Sequence, residues 1–296
     1  MFDNRKVVRF FPVVFALIAL FVGSGFAQNK PLTARQVIAR IQAQIGGTWQ
    51  SDTVDTFKTG NPDAPVTGIA VTMMSTLDVL QRAAAAGDNL IITHEPTFYD
   101  HRDNPVDLPE KEKDAVLAAK RAFIEKHGLI IWRFHDYWHR PRPDGIVSGM
   151  VRAMGWEKFQ DPANQYLFAL PDTTLEKLAA EMKARLGIRV VRVVGDPNLQ
   201  VKKVAFSPGA SGFAMETGAL ERNDIEVVVL GETREWETVE YVSDAIAEGK
   251  HKGLIVLGHI PSEQPGMEEC ARWLRTFITE VPVQFVPAAE PFWEPK

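Results

Sequence analysis

From residue 32 onward, the chain alternates amphipathic stretches with short apolar runs. Thr33 precedes apolar residues that recur three and four positions apart over residues 34–45, which predicts a helix with a threonine N-cap. The rest of the first half continues this alternation. We predict strands over residues 68–72, 90–93 and 129–134, and helices over residues 77–86 and 111–127.

The second half of the chain repeats the pattern. We predict strands over residues 189–194, 201–207, 225–230, 254–257 and 281–286, and helices over residues 173–186, 216–222, 238–248 and 266–280. Apolar strands that alternate with helices are typical of α/β proteins whose sheets are largely parallel. We therefore predict two similar α/β layered domains, residues 28–156 and residues 157–296.

Residues 1–27 have the pattern of a secretory signal peptide. Basic residues near the start precede an apolar run over residues 10–22, and small residues stand before Gln28. The run is shorter than the roughly 20 residues that span a bilayer. We predict cleavage after Ala27, a periplasmic or secreted protein, and no stable membrane association after cleavage. An uncleaved membrane anchor is the alternative.

Charge and cysteine content narrow the possible partners. The net charge is −5, so the chain as a whole lacks the excess of basic residues that is typical of nucleic-acid binding, and we predict no nucleic-acid partner. Cys270 is the single cysteine, which excludes an intramolecular disulfide and a cysteine-based zinc site. Any metal site must therefore be built from histidines and carboxylates.

Polar side chains follow four of the predicted strands, at the point where each strand ends. They are His94 and Glu95, then His135, Asp136 and His139, then Glu232, and finally His259 and Glu263. Four of the seven histidines of the chain are in this set, a concentration that composition alone does not explain. In open α/β sheets, ligands bind outside the carboxyl ends of the strands. The sequence therefore predicts a site in a cleft at these strand ends.

This set contains enough ligands for a metal centre. The candidate ligands are His94, Glu95, His135, His139, His259 and Glu263. Imidazole and carboxylate ligands suit zinc, manganese, iron, cobalt or nickel. Six ligands exceed the three or four of one tetrahedral zinc, so we predict one or two divalent ions. A single histidine at a strand end is more often a hydrogen-bonded structural residue, and it is the cluster that favours a metal.

Two carboxylates are the candidate catalytic residues. Glu95 and Asp136 stand beside candidate histidine ligands, where a carboxylate can accept a proton from an activated water. The remaining patterns are weaker. Residues 209–212 form a glycine-rich turn that could bind a phosphate through backbone N–H groups, but no Walker lysine follows. Cys270 lies beside Glu268 and Glu269, which argues against a thiolate nucleophile.

Seven segments together are similar to one protein family. They are residues 66–71, 89–96, 134–139, 144–146, 154–156, 227–232 and 258–263. The last segment reads Gly-His-Ile-Pro-Ser-Glu and is the most specific. The chain thereby resembles the Nif-three-like dinuclear metal-centre proteins, also called GTP cyclohydrolase 1 type 2 homologues. The resemblance implies a dinuclear metal centre and a toroidal homohexamer.

The chain departs from the family pattern at two ligand positions. Glu95 stands where the family usually has a histidine, and His139 stands where the family usually has an aspartate. The two exchanges together keep the number of imidazoles and carboxylates. Export is a third departure, and it argues against a cytosolic nucleotide such as GTP as the substrate.

Three functions remain open from the sequence. The first is an exported metal-dependent hydrolase that activates water against a small molecule of unidentified class. The alternative is a non-catalytic metal-binding, carrier or scaffold protein. A cyclohydrolase in the strict sense is the third, and it follows from the family name only.

Overall fold

The structure is a computed structural model that describes Met1 and residues 31–103 and 114–295. Apart from Met1, the predicted signal peptide lies outside the described residues. Among the residues that the structure does describe, no helix is both long enough and apolar enough to cross a membrane.

A five-stranded mixed sheet organises the first part of the chain. Its strands, in spatial order, are β1 (Phe57–Thr59), β4 (Ile130–Arg133), β3 (Leu90–Thr93), β2 (Ile69–Thr72) and β10 (Val283–Phe285). Strand β1 is antiparallel to β4, and the other pairs of neighbouring strands are parallel. Thr72 pairs with Thr93 and Thr93 pairs with Arg133, so β2, β3 and β4 end level with one another.

Three helices accompany the first sheet: α1 (Ala34–Ile45), α2 (Leu77–Ala86) and α3 (Ala115–Lys126). Helix α1 begins with a capping box between Thr33 and Gln36, which satisfies two backbone donors at its N-terminus. Every residue of β2, β3 and β4 is buried, as expected for parallel strands covered on both faces.

A second five-stranded sheet follows. Its strands, in spatial order, are β5 (Leu167–Thr174), β7 (Gln200–Ser207), β8 (Val227–Leu230), β9 (Gly253–Val256) and β6 (Arg192–Val194). The three central strands are parallel, and both edge strands are antiparallel. The helices of this part are α5 (Leu175–Leu186), α6 (Phe213–Leu220) and α7 (Glu240–Ala247), with a π-helix at Glu235–Val239 before α7.

Two further helices, α4 (Gly145–Met154) and α8 (His259–Leu274), pack closely against each other. A side chain at Gly149 would collide with the backbone of Pro265 and Gly266, so the glycine permits this close approach. Helix α8 shares the core of the first sheet through Met267 and Leu274. Helix α4 shares the core of the second sheet, and the helix pair therefore connects the two cores.

The predicted mixture of helices and largely parallel sheets is confirmed as two five-stranded α/β sheets. The main difference concerns α8, which we predicted to begin at residue 266 and which begins at His259. Pro261 lies in the first turn of α8, where the backbone N–H has no partner within the helix, so the proline costs nothing there. Helix α4 and strand β5 had no counterpart among the predicted elements.

Candidate metal centre

The six candidate ligands lie at strand ends of both sheets. His94 and Glu95 follow β3, and the turn after β4 carries His135 and His139. His259 and Glu263 lie one turn apart at the start of α8, directly after β9. Because the strand ends are level and α8 begins beside them, the six side chains converge on one small region.

The two glutamates lie between the imidazoles. Glu95 Oε1 is 3.5 Å from His135 Nε2 and 3.6 Å from His259 Nε2. Glu263 Oε2 is 3.1 Å from His259 Nε2 and 3.6 Å from His94 Nε2. Two ligands that are each about 2.1 Å from one ion have about this separation. The donor atoms are therefore spaced as shared ligands of an ion would be.

Two groups of three residues have ligand atoms close enough to hold an ion. In each group the ligand atoms lie within 4.8 Å of one another. One group is His94, His135 and His139, and the other is His94, Glu95 and Glu263. His259 extends the second group through its contacts with both glutamates.

Each of the four histidines has an acceptor at its Nδ1 atom. The Nδ1–H of His94 donates to the carbonyl of Phe134 at 3.0 Å. The other three face carboxylates: His135 faces Asp136 at 3.0 Å, His139 faces Asp144 at 2.9 Å, and His259 faces Glu232 at 3.2 Å. Metal-binding histidines are held in this way, since an acceptor at one ring nitrogen orients the other toward the metal.

His94 has a free lone pair inside the protein. Its side chain is fully buried, and its Nε2 atom has no hydrogen-bond partner. Burial, together with the neighbouring imidazoles of His135 and His139, holds the pKa of His94 well below its usual range. The ring is therefore neutral, with its proton on Nδ1, and Nε2 presents an unprotonated lone pair to the cluster. An unpartnered buried acceptor is costly in a native structure, and a bound cation would satisfy it.

The carboxylates make the cluster attractive to cations. Burial disfavours a charged His259, but Glu232, Glu263 and Glu95 outweigh it and raise the pKa of His259 to about 12. Burial opposes ionisation of Glu95 as well, and the charges of His259 and Arg133 nevertheless lower the pKa of Glu95. A bound divalent ion would neutralise the negative charge of these carboxylates.

A cavity of about 550 Å³ opens beside the cluster. Five of the six candidate ligands line it, and His94 is buried behind them. The opposite walls come from β5, β7, the turn after β7, and α6. A small molecule in this cavity would contact these candidate ligands directly.

Asp136, the second candidate catalytic residue, lies away from the cavity lining. Its Oδ1 atom faces His135, while its Oδ2 atom accepts hydrogen bonds from the Thr53 hydroxyl and the Val54 backbone N–H. This position suits a residue that orients His135. His101 also lines the cavity, whereas His251 is exposed on the surface.

Three residues of the site were not among the candidate ligands or candidate catalytic residues. Asp144 and Glu232 orient His139 and His259. Arg133 is fully buried and binds Glu95 Oε2 at 3.3 Å and the carbonyl of His94 at 2.9 Å. A buried arginine at the end of an apolar strand is an unusual feature, and it could have directed attention to Glu95.

Side chains of the protein itself occupy part of the glycine-rich turn and its surroundings. The backbone N–H of Gly209 donates to the Ser262 hydroxyl at 3.0 Å. Glu216, in the first turn of α6, is fully buried and accepts hydrogen bonds from Thr238 and Ser211. The chain's own carboxylate therefore occupies the N-terminal region of this helix, where an anion would bind.

The fold and this cluster define an α/β protein with a candidate histidine–carboxylate metal centre. The family model Duf34/NIF3 (NGG1p interacting factor 3) matches residues 50–291. The chain belongs to this family. This match confirms the family resemblance that we inferred from the strand-end motifs.

Individual relatives agree with this assignment. A GTP cyclohydrolase 1 type 2 homolog of Clostridium perfringens is 25% identical over 222 residues, which cover 70% of this chain and 77% of the relative. A homolog of the same description from Clostridium acetobutylicum is 23% identical over 220 residues, which cover 70% of this chain and 76% of that protein.

Solved structures share the fold. A hypothetical protein of Staphylococcus aureus matches with a TM-score of 0.68 and 18% identity, over 89% of this chain and 99% of that one. A Bacillus cereus protein related to NIF3 matches with a TM-score of 0.67 and 13% identity, over the same shares of the two chains.

Proposed function

We propose that this chain is a metal-dependent hydrolase in which His94, Glu95, His135, His139, His259 and Glu263 hold one or two divalent ions. The buried, unprotonated and unpartnered Nε2 atom of His94 carries this proposal. No other feature of the cluster is so hard to explain without a cation.

The chemistry divides between the ion and the side chains. A divalent ion in such a site acts as a Lewis acid and lowers the pKa of a coordinated water toward neutrality. Glu95 lines the cavity and directs its Oε1 atom into the cluster, 3.5 Å from His135 Nε2. We assign Glu95 as the group that accepts the proton from the attacking water. Arg133 holds the second oxygen of Glu95 and thereby fixes the direction of the first.

The open cavity favours a hydrolase over a metal carrier or scaffold. Catalytic sites leave room for water and substrate beside the ion, whereas structural sites are closed. Five of the six proposed ligands line a space large enough for a small molecule.

Metal analysis of the purified chain tests the proposal. We expect at least one equivalent of a divalent ion in the wild-type protein and a clear loss in His94→Ala. His251→Ala is the matched control, since His251 is exposed and lies outside the cluster. Equal metal content in both variants would contradict the proposed site. Loss of metal without any metal-dependent hydrolysis across ester, amide and phosphoester substrates would favour the carrier function.

We also propose export with removal of residues 1–27, on the basis of the basic start, the apolar run and the small residues before Gln28. Mass spectrometry of the protein from a periplasmic or culture fraction should find a chain that begins at Gln28. A chain that begins at Met1 would contradict this proposal. The homohexamer is likewise a proposal that rests on family resemblance, and sedimentation analysis of the purified protein tests it.

A further inference from the structure

The cavity beside the metal cluster has a mostly apolar wall. Met215, Gly218 and Ala219 lie on one face of α6 and line the cavity. Leu167 and Phe206, from β5 and β7, line it from the neighbouring sheet edge. A ligand in this space would bury much of its surface against carbon atoms, and apolar burial would supply most of its affinity.

Among the described residues, the lining has no lysine or arginine that is free of a carboxylate partner. Apart from the histidines, Arg222 is the cationic side chain of the described lining. It already binds Asp224 through two hydrogen bonds of 3.0 and 2.9 Å. The backbone N–H of Gly209, in the turn beside the cavity, is also occupied, since it donates to the Ser262 hydroxyl. The buried Glu216 adds negative charge on the α6 side.

The metal centre itself does not supply a large positive charge. Its side chains contribute five carboxylates against one guanidinium: Glu95, Glu263, Asp136, Asp144 and Glu232 against Arg133. Two divalent ions would bring this sum to zero, and one ion would leave it negative. Electrostatic attraction therefore gives a phosphate-bearing molecule no advantage here.

We propose that the cavity binds the acyl group of an uncharged, largely apolar carboxylic ester. This inference rests on the proposed hydrolase function and specifies its substrate class. In the reaction, water adds to the carbonyl carbon and the bond between that carbon and the ester oxygen breaks. The products are a carboxylic acid and an alcohol, which takes up the proton from the water.

A matched pair of esters tests the charge argument. p-Nitrophenyl butyrate and mono-p-nitrophenyl succinate share the leaving group and a four-carbon acyl chain, but the succinate ends in a carboxylate. With the Zn²⁺- or Mn²⁺-loaded full-length protein, we expect kcat/KM to be at least about tenfold higher for the butyrate, because no lysine or arginine of the described lining is free to pair the extra charge. Equal rates, or a preference for the succinate or for p-nitrophenyl phosphate, would overturn the inference.

A large side chain placed in the cavity tests whether the ester binds there. A Cβ atom at Gly218 would meet nothing within 4 Å, so Gly218→Trp places an indole in open space at the cavity wall. We expect unchanged metal content and a loss of butyrate hydrolysis in the range of about 10–200-fold that one misplaced group costs in a pocket. Glu221→Trp is the matched control, since this exposed residue follows α6 outside the lining. Equal activity of the two variants would contradict the proposed cavity.

Binding separates failure of this inference from failure of the proposed function. Calorimetry with N-phenylbutanamide, a neutral acyl compound, measures occupancy of the cavity without turnover. If none of the three substrates is hydrolysed, but wild type binds N-phenylbutanamide and Gly218→Trp does not, the hydrolase function is refuted and the apolar cavity is retained. Absence of binding would overturn the inference, whatever the hydrolysis result.

Discussion

Asp144 contacts both the N-terminus of α4 and the proposed metal centre. Its Oδ2 atom lies 2.9 Å from His139 Nδ1 and accepts a hydrogen bond from the Tyr166 hydroxyl at 3.0 Å. Its Oδ1 atom caps α4 by accepting hydrogen bonds from the backbone N–H groups of Ile146 and Val147. Burial disfavours a charged His139, but the Asp144 carboxylate outweighs it and raises the pKa of His139.

The substitution Asp144→Asn separates these two roles. Asparagine caps helices about as well as aspartate does, so α4 should keep its N-terminus. The charge that orients His139 is lost. Removal of such a supporting group costs metal affinity about 10–100-fold, which corresponds to about 1.4–2.7 kcal/mol. We expect a weaker metal affinity of this size, measured by competition with a chromogenic chelator.

The control is Asp114→Asn in α3. Asp114 caps its helix through Val116 and Leu117 in the same way as Asp144, but it is exposed and has no histidine partner. We expect no change of metal affinity in this variant. If Asp144→Asn bound metal within about twofold of wild type, well short of the usual loss, His139 would not be a ligand that Asp144 orients.

Two further predictions concern the exchanged ligands and a buried lysine. Alanine at either Glu95 or His139 should lower metal occupancy, and the double change Glu95→His with His139→Asp should bind metal better than either single change. The coupling energy between the two changes should be about 0.5–3 kcal/mol. Effects of the single changes that are close to zero and simply additive would refute a shared site. Burial lowers the pKa of Lys120 to about 8. The unfolded chain therefore binds more protons between about pH 8 and its ordinary pKa of about 10.4. Relative to Lys120→Met, the free energy of unfolding of wild type in urea should rise from pH 8 to pH 10, and parallel pH profiles would contradict this assignment.

Local sequence determined most of the helices and strands. Apolar runs such as residues 90–93 and capping residues such as Thr33 act within a few positions, and α1, α2 and β3 have the predicted bounds. The candidate ligands were also accessible from the sequence, because parallel strands bring their carboxyl ends together at one edge of a sheet. The geometry brings all six candidates into one cluster.

The tertiary structure decided how the parts combine. Strand β10 follows the second sheet along the chain but pairs with β2 in the first sheet, and nothing in its local pattern specifies that partner. Arg133, Asp144 and Glu232 gain their roles only through contacts with Glu95, His139 and His259. Hydrogen bonds and charge balance depend on distances in space, whereas periodicity and capping depend on separation along the chain. The candidate ligands could therefore be named from the sequence, while the residues that contact their second ring nitrogen or oxygen and the apolar wall of the cavity required the fold.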